Sequence, residues 1–92
     1  MYRIMVIEDN DKIRNELCDF LSKNGYEAFG PAEFDHLLED IHQQKPDLLL
    51  LDLNLPVVDG HFICREVRKN SELPIMIVTS RDSDMDELIS MN

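Results

Sequence analysis

One stretch of the sequence decides the fold: Pro46-Asp47-Leu48-Leu49-Leu50-Leu51-Asp52-Leu53-Asn54-Leu55-Pro56. Four consecutive leucines between two prolines predict a strand that is buried on both faces, as in the centre of a parallel sheet. Asp52 follows the leucines directly, and a carboxylate in an apolar interior is costly unless it is paired, hydrogen-bonded or bound to a metal. We therefore expect Asp52 at the carboxyl end of the strand, facing the polar crevice in which open α/β sheets bind ligands.

Strand and helix patterns alternate along the rest of the chain. Three further β-rich segments fall at residues 2–7, 26–29 and 75–78, so the leucine strand is third in sequence. After each strand, apolar residues recur at helical spacing, in the groups Ile13, Leu17, Phe20 and Leu21; Phe34, Leu37, Leu38 and Ile41; Ile63 and Val67; and Met85, Leu88 and Ile89. This alternation predicts an α/β fold with a parallel sheet, helices on both faces and the strand order 2-1-3-4.

The composition narrows the class of protein. The 92 residues suffice for one small domain, and 9 Lys and Arg against 19 Asp and Glu give a formal net charge of −10. Such a chain repels nucleic acid and anionic membranes and favours a cation or a basic partner. There is no apolar run of membrane-spanning length and no signal-peptide pattern, and Cys18 and Cys64 form no metal-binding motif. We therefore expect a cytoplasmic domain that by itself binds neither nucleic acid nor membrane.

Polar side chains follow three of the predicted strands at their carboxyl ends. Glu8 and Asp9 follow the first strand, Asp52 the third and Thr79 the fourth. In the order 2-1-3-4, strands one and three are neighbours, so the three carboxylates should share one crevice, where they cannot all ionise without a cation. Hard oxygen ligands with room for water suit Mg²⁺. A carboxylate oxygen could then attack a phosphoryl group while the metal neutralises the developing charge, and the Thr79 hydroxyl could hydrogen-bond the product.

Three motifs, in this order and spacing, resemble those of the receiver domain of two-component response regulators. They are Val6-Ile7-Glu8-Asp9-Asn10, Leu51-Asp52-Leu53-Asn54-Leu55-Pro56-Val57-Val58-Asp59-Gly60 and Pro74-Ile75-Met76-Ile77-Val78-Thr79-Ser80-Arg81. The resemblance covers essentially the whole chain and implies a flavodoxin-like (βα)4 fold. A further likeness, centred on Cys64-Arg65-Glu66-Val67-Arg68, is to the winged-helix regulators of peptide-antibiotic resistance transporters.

The resemblance implies a role for each residue at a matching position. Asp52 would be the phosphoacceptor that takes a phosphoryl group from a sensor histidine kinase. Glu8 and Asp9 would hold Mg²⁺, Asp9 more directly, and the backbone carbonyl of Asn54 would complete the metal site. Thr79 would be the switch hydroxyl. The domain would act as a signalling switch that regulates transcription, and not as an enzyme.

The chain departs from the family pattern at its carboxyl end. Receiver domains continue into a fifth strand, a lysine that contacts the phosphoryl group and a fifth helix, whereas this sequence stops at Asn92. We therefore expect residues 1–92 to be a shortened receiver domain with its fifth strand and helix absent and no output domain. The fourth strand would then be an exposed apolar edge that favours a homodimer or a segment swap.

The same residues allow other interpretations. The acidic run Glu8-Asp9-Asn10-Asp11 could merely cap a helix, and Thr79 alone is an ordinary loop hydroxyl. An aspartyl-phosphate phosphatase of the haloacid-dehalogenase kind needs a second acid two residues after the nucleophile, where this chain has Asn54. A phosphorylation-independent interaction module is the remaining alternative.

Overall fold

The computed structural model describes residues 1–56 and 58–78. Its elements are β1 (Arg3–Ile7), α1 (Asp11–Lys23), β2 (Glu27–Phe29), α2 (Leu37–Gln44), β3 (Leu48–Asp52), α3 (Gly60–Asn70) and β4 (Ile75–Val78). The four strands form one parallel sheet in the order β2-β1-β3-β4. The predicted α/β class and strand order are confirmed. Thr79 and the helix predicted from Ser83 onward lie outside the described residues.

The leucine strand β3 is buried on both faces, as predicted. Leu49 and Leu51 point into the larger core, where they meet Met5 and Ile7 of β1 and apolar side chains of α2 and α3. Leu50 points to the opposite face and packs with β1 residues under α1. Because successive side chains of a strand alternate between faces, a continuous apolar run is what a sheet covered on both sides requires.

The face that α1 presents to the sheet includes only some of the apolar residues whose spacing predicts the helix. At about 100° of rotation per residue, Leu17, Cys18 and Leu21 share one face and pack against the smaller core. Phe20 lies well to the side of that face and is 63% exposed. Phe20 lies within α1, as its helical spacing from Leu17 predicts, but it falls outside the narrow stripe that one sheet surface can cover.

Local side-chain caps define the starts of two helices. Asn10 accepts a hydrogen bond from the Ile13 backbone N–H (3.0 Å) at the start of α1. Asp59 accepts one from the His61 N–H (2.9 Å) at the start of α3. Each bond satisfies one backbone donor that the first turn leaves unpaired. The helix predicted to open at Asp59-Gly60 is therefore confirmed.

The second helix begins later than its apolar pattern indicates. It starts at Leu37, and Phe34 lies in the preceding loop while still packing against the larger core.

No helix among residues 1–56 and 58–78 is long and apolar enough to cross a membrane.

Candidate metal and phosphoacceptor site

The pairing of β1 with β3 brings the predicted acidic residues together. Ile7 lies beside Leu51 in the parallel register, so the next residues, Glu8 and Asp52, emerge side by side at the carboxyl end of the sheet. Carboxylate oxygens of Glu8, Asp9 and Asp52 lie within 4.8 Å of one another. The three acids that the sequence assigned to one crevice therefore share it, and we call them the acidic cluster.

Asp52 is the most deeply placed member of the acidic cluster. It is fully buried, and its Oδ1 accepts a hydrogen bond from the backbone N–H of Asn54 at 2.8 Å. Its Oδ2 is also buried and has no hydrogen-bond partner within the described part of the chain. Because a buried anionic oxygen without a partner is costly, Oδ2 is a position where a cation would be stabilising.

The pKa of Glu8 is raised by its burial and by its position beside Asp52. Burial, followed by the close approach and charge of the Asp52 carboxylate, raises the pKa of Glu8 from 4.5 to about 7, against the lowering effect of the Asn10 N–H. That N–H donates to Glu8 Oε1 at 3.1 Å. Near neutral pH a large share of the Glu8 carboxyl groups therefore keeps its proton, which a divalent cation would displace.

The outer side of the crevice is formed by Asp9 and Asn54, both of which are exposed. The turn that follows β3 holds the Asn54 backbone against Asp52, and Gly60 of α3 lies close to this turn. A Cβ added at Gly60 would lie only 2.8 Å from Leu53 Cδ2, so the start of α3 approaches this turn closely. Thr79, the fourth predicted site residue, lies outside the described residues.

The donor set of the acidic cluster fits Mg²⁺. It offers carboxylate oxygens from three residues, one of them an unpartnered buried oxygen. Within residues 1–56 and 58–78, no Lys or Arg forms an ion pair with any of the three carboxylates. Hard oxygen donors, an open outer side and uncompensated negative charge are the conditions under which proteins bind Mg²⁺ with several waters retained.

One residue at the site was missed by the sequence analysis. Arg14 of α1 is buried, and its Nη1 donates to the backbone carbonyl of Glu8 at 3.1 Å. Sequence spacing could have indicated that Arg14 is buried, because it lies on the same helical face as Leu17, Cys18 and Leu21. A charged residue on the apolar face of a helix needs a buried partner.

Comparison with known proteins agrees with the geometry. The family model of the response regulator receiver domain matches residues 4–92, and the chain belongs to this family. It is 38% identical over 91 residues to the transcriptional regulatory protein YxdJ of Bacillus subtilis, covering 99% of this chain and 40% of YxdJ. The chain therefore spans about two fifths of the length of this curated relative.

Two solved receiver domains share the fold. The N-terminal domain of the nisin resistance regulator NsrR, a lantibiotic response regulator, superposes with a TM-score of 0.82 at 30% identity, over 100% of this chain and 78% of that one. The BeF3-activated N-terminal receiver domain of Klebsiella pneumoniae RstA superposes with a TM-score of 0.78 at 35% identity, over 97% and 76% of the two chains.

Proposed function

We propose that Asp52 is the phosphoacceptor of this receiver domain and that it accepts a phosphoryl group from a sensor histidine kinase in the presence of Mg²⁺. The observation that carries the proposal is Asp52 Oδ2, a buried carboxylate oxygen without a hydrogen-bond partner among the described residues, within a cluster of three acids. Because the Asn54 N–H occupies Oδ1, Oδ2 is the oxygen left to react.

The reaction is a transfer between two nucleophiles. Asp52 Oδ2 forms a P–O bond as the P–N bond to the phosphohistidine of the kinase breaks, and the imidazole keeps the electron pair and takes up a proton. The Asn54 N–H holds the carboxylate so that one oxygen faces the crevice. Bound Mg²⁺ would neutralise charge on the phosphoryl oxygens during the transfer.

The proposed metal site consists of Glu8, Asp9, Asp52 and the backbone carbonyl of Asn54. It is supported by the mutual approach of the three carboxylates and by the relationship to RstA, whose receiver domain is described as BeF3-activated. Thr79 is proposed as the switch hydroxyl from its place in the sequence, directly after β4. Asp9, as the exposed acid, is the proposed direct ligand at the open side.

The wider role follows from the relatives. We propose that residues 1–92 form the receiver domain of a cytoplasmic response regulator that controls transcription through an output domain outside this chain. The relationship to YxdJ, a transcriptional regulatory protein, supports this. The likeness to NsrR supports the narrower proposal that the regulator belongs with those that govern resistance to peptide antibiotics.

The test of the phosphoacceptor uses acetyl phosphate and Mg²⁺ with intact-mass detection. The parent should gain the mass of one phosphoryl group, stable in acid and labile in base. The gain should be absent in Asp52→Ala and retained in the matched control Asp59→Asn, since Asp59 caps α3 outside the acidic cluster. Continuous release of phosphate would favour a phosphatase, and an unmodified parent would favour a phosphorylation-independent interaction module.

A finer proposal concerns assembly through β4. Among the described residues, β4 has a single strand neighbour, β3, and its Met76 and Ile77 are exposed. Apolar edge strands of this kind pair with other chains, so we propose a homodimer or segment swap through β4. Light scattering should give a mass that rises with concentration for the parent and a constant monomer mass for Ile77→Lys. A parent that stays monomeric at high concentration would contradict the proposal.

A further inference from the structure

Arg14 is the one cationic side chain that is buried among residues 1–56 and 58–78, at 7% exposed. Burying a guanidinium is costly unless its donors are satisfied in good geometry. The hydrogen-bond partners of its guanidinium therefore identify the segment that Arg14 stabilises.

The guanidinium of Arg14 contacts both ends of one segment, residues 8–11, which runs from the end of β1 to the first residue of α1 and which we call the acidic loop. Nη1 donates to the backbone carbonyl of Glu8 at 3.1 Å, and Nη2 donates to Asp11 Oδ1 at 2.6 Å. Asp9 and Asn10 lie between these two anchor points. The backbone N–H of Arg14 also donates to the Asn10 carbonyl at 2.9 Å, so a single residue ties together the segment that carries two of the three clustered acids.

The path of the Arg14 side chain is fixed by close packing at Gly30. A Cβ added at Gly30 would lie 2.9 Å from Arg14 Cδ and 2.4 Å from the Val6 carbonyl oxygen. The stem of Arg14 therefore passes through space that only a residue without a side chain leaves open. This packing restricts the conformation of the Arg14 side chain and so fixes where its guanidinium meets the acidic loop, as a positioning group requires.

The contacts of Arg14 are with the backbone of the acidic loop and with Asp11, and not with the acidic cluster. Within the described residues its ion pair is with Asp11, whose side chain is 78% exposed. Glu8 offers Arg14 its carbonyl oxygen, while the Glu8 carboxylate approaches Asp9 and Asp52. The cation thus orients the loop without neutralising the carboxylates, which leaves their charge for a metal ion.

From this arrangement we infer that Arg14 is a positioning residue for the metal site: it fixes the acidic loop so that Glu8 and Asp9 face Asp52. The inference rests on the proposed function, because it assumes that the acidic cluster binds Mg²⁺. Arg14 acts through the loop and touches neither the metal nor the phosphoryl group.

The test compares Mg²⁺ affinity, measured by calorimetric titration, in Arg14→Met and Arg68→Met. Methionine keeps an apolar stem and removes the donors. Arg68 is a matched control because its Nη1 also donates to a backbone carbonyl, that of Leu73, which follows α3 and lies outside the acidic loop. Arg14→Met should bind Mg²⁺ about tenfold or more weakly, as expected when a group that orients a metal ligand is lost. Arg68→Met should keep the parent's affinity.

Two further variants separate positioning from a general loss of stability. Val67→Ala creates a cavity in α3, outside the acidic loop, and should lower stability without changing Mg²⁺ affinity. Arg14→Lys keeps one donor for the Glu8 carbonyl and should recover part of the affinity. If Arg14→Met does not fold, Arg14→Lys and Asp11→Asn replace it in the test. Each variant loosens one anchor of the acidic loop and should bind Mg²⁺ more weakly than the parent, and parent affinity in both would overturn the inference.

The outcomes distinguish this inference from the proposal on which it rests. A folded Arg14→Met with the parent's Mg²⁺ affinity would overturn the positioning role and leave the phosphoacceptor proposal standing. Equal losses of affinity in Arg14→Met and Val67→Ala would also overturn it, because the effect would then follow stability alone. A parent that binds no Mg²⁺ would overturn both.

Discussion

The two ends of the parallel sheet differ in whether their acidic side chains have partners. At the amino end, Arg3 forms an ion pair with Glu27 (2.6 Å), donates to both the carbonyl and the side chain of Gln44, and lies 4.7 Å from the centre of the Phe29 ring. Asp47 accepts the Arg3 backbone N–H at 2.8 Å. The polar groups at this end are thus satisfied by the chain's own residues.

At the carboxyl end, the acidic cluster of Glu8, Asp9 and Asp52 has no such compensation within the described part of the chain. Its nearby arginine, Arg14, binds a backbone carbonyl instead of a clustered carboxylate. The contrast indicates that acids at the amino end support the fold, whereas the uncompensated acids at the carboxyl end reduce its stability in the absence of a cation. A change of pH or the removal of metal should therefore act on the carboxyl end of the sheet and leave the amino end unchanged.

The largest effect is expected from pH, through Glu8. Its pKa is raised from 4.5 to about 7 in the folded protein, so the native state binds this proton more tightly than the unfolded chain does. The contribution of this group to the free energy of unfolding of the metal-free protein should therefore be fully present below pH 4.5 and fall, by at most about 3 kcal/mol, as the pH rises to 7. Denaturant titrations in a chelator measure this fall.

The control for the pH prediction is Glu8→Gln, which mimics the protonated side chain. The difference in stability between parent and variant should grow from pH 4.5 to 7 and level off above it. Profiles that run parallel over this range would mean that Glu8 titrates in the fold as it does in the unfolded chain.

Mg²⁺ should produce the next largest effect. A ligand that binds only the native state at ten times its Kd stabilises it by about 1.4 kcal/mol, and thermal melts with and without Mg²⁺ measure this gain. Asp9→Asn should reduce the gain because it removes the exposed acid of the cluster. Asp47→Asn, which changes an acid at the amino end, should leave the gain intact. Equal responses in these two variants would remove the distinction between the two ends.

Neutralising Asp52 should stabilise the metal-free protein by about 1 kcal/mol at pH 7 to 8, because it relieves repulsion within a buried cluster. Asp52→Asn keeps an oxygen that can accept the Asn54 N–H, so the turn after β3 should persist. Denaturant unfolding in a chelator provides the comparison with the parent. A less stable Asp52→Asn protein under these conditions would contradict the repulsion argument.

The fold could be predicted from the sequence because its strongest signals are local. The leucine run of β3 marks a central strand, and alternating strands and helices leave few topologies open. Residue spacing did not determine the exact face of α1 or the start of α2. Phe20 and Phe34 have the right spacing for a buried stripe, but the surface that the sheet offers decides which aromatic is covered, and this is a tertiary property.

The acidic cluster was also predictable, since residues that follow adjacent parallel strands meet at the same end of a sheet. The buried oxygen of Asp52 and the raised pKa of Glu8 were not, because both depend on distances that spacing does not give. Arg14 was missed for a related reason. Its guanidinium binds a backbone carbonyl six residues earlier, and its stem fits only because position 30 is a glycine. Neither condition is visible in a pattern of residue types.

The smallest effect is expected at the amino end, where the comparison can be tested from the other side. Arg3→Met keeps the apolar stem near Phe29 but removes the ion pair with Glu27, which is partly exposed, so stability should fall by about 1 kcal/mol or less. The fall should be the same with and without Mg²⁺, as measured by denaturant unfolding. Arg65→Met, a loss of the same charge at an exposed position of α3, is the control. A Mg²⁺-dependent loss in Arg3→Met alone would show that the two ends of the sheet are coupled.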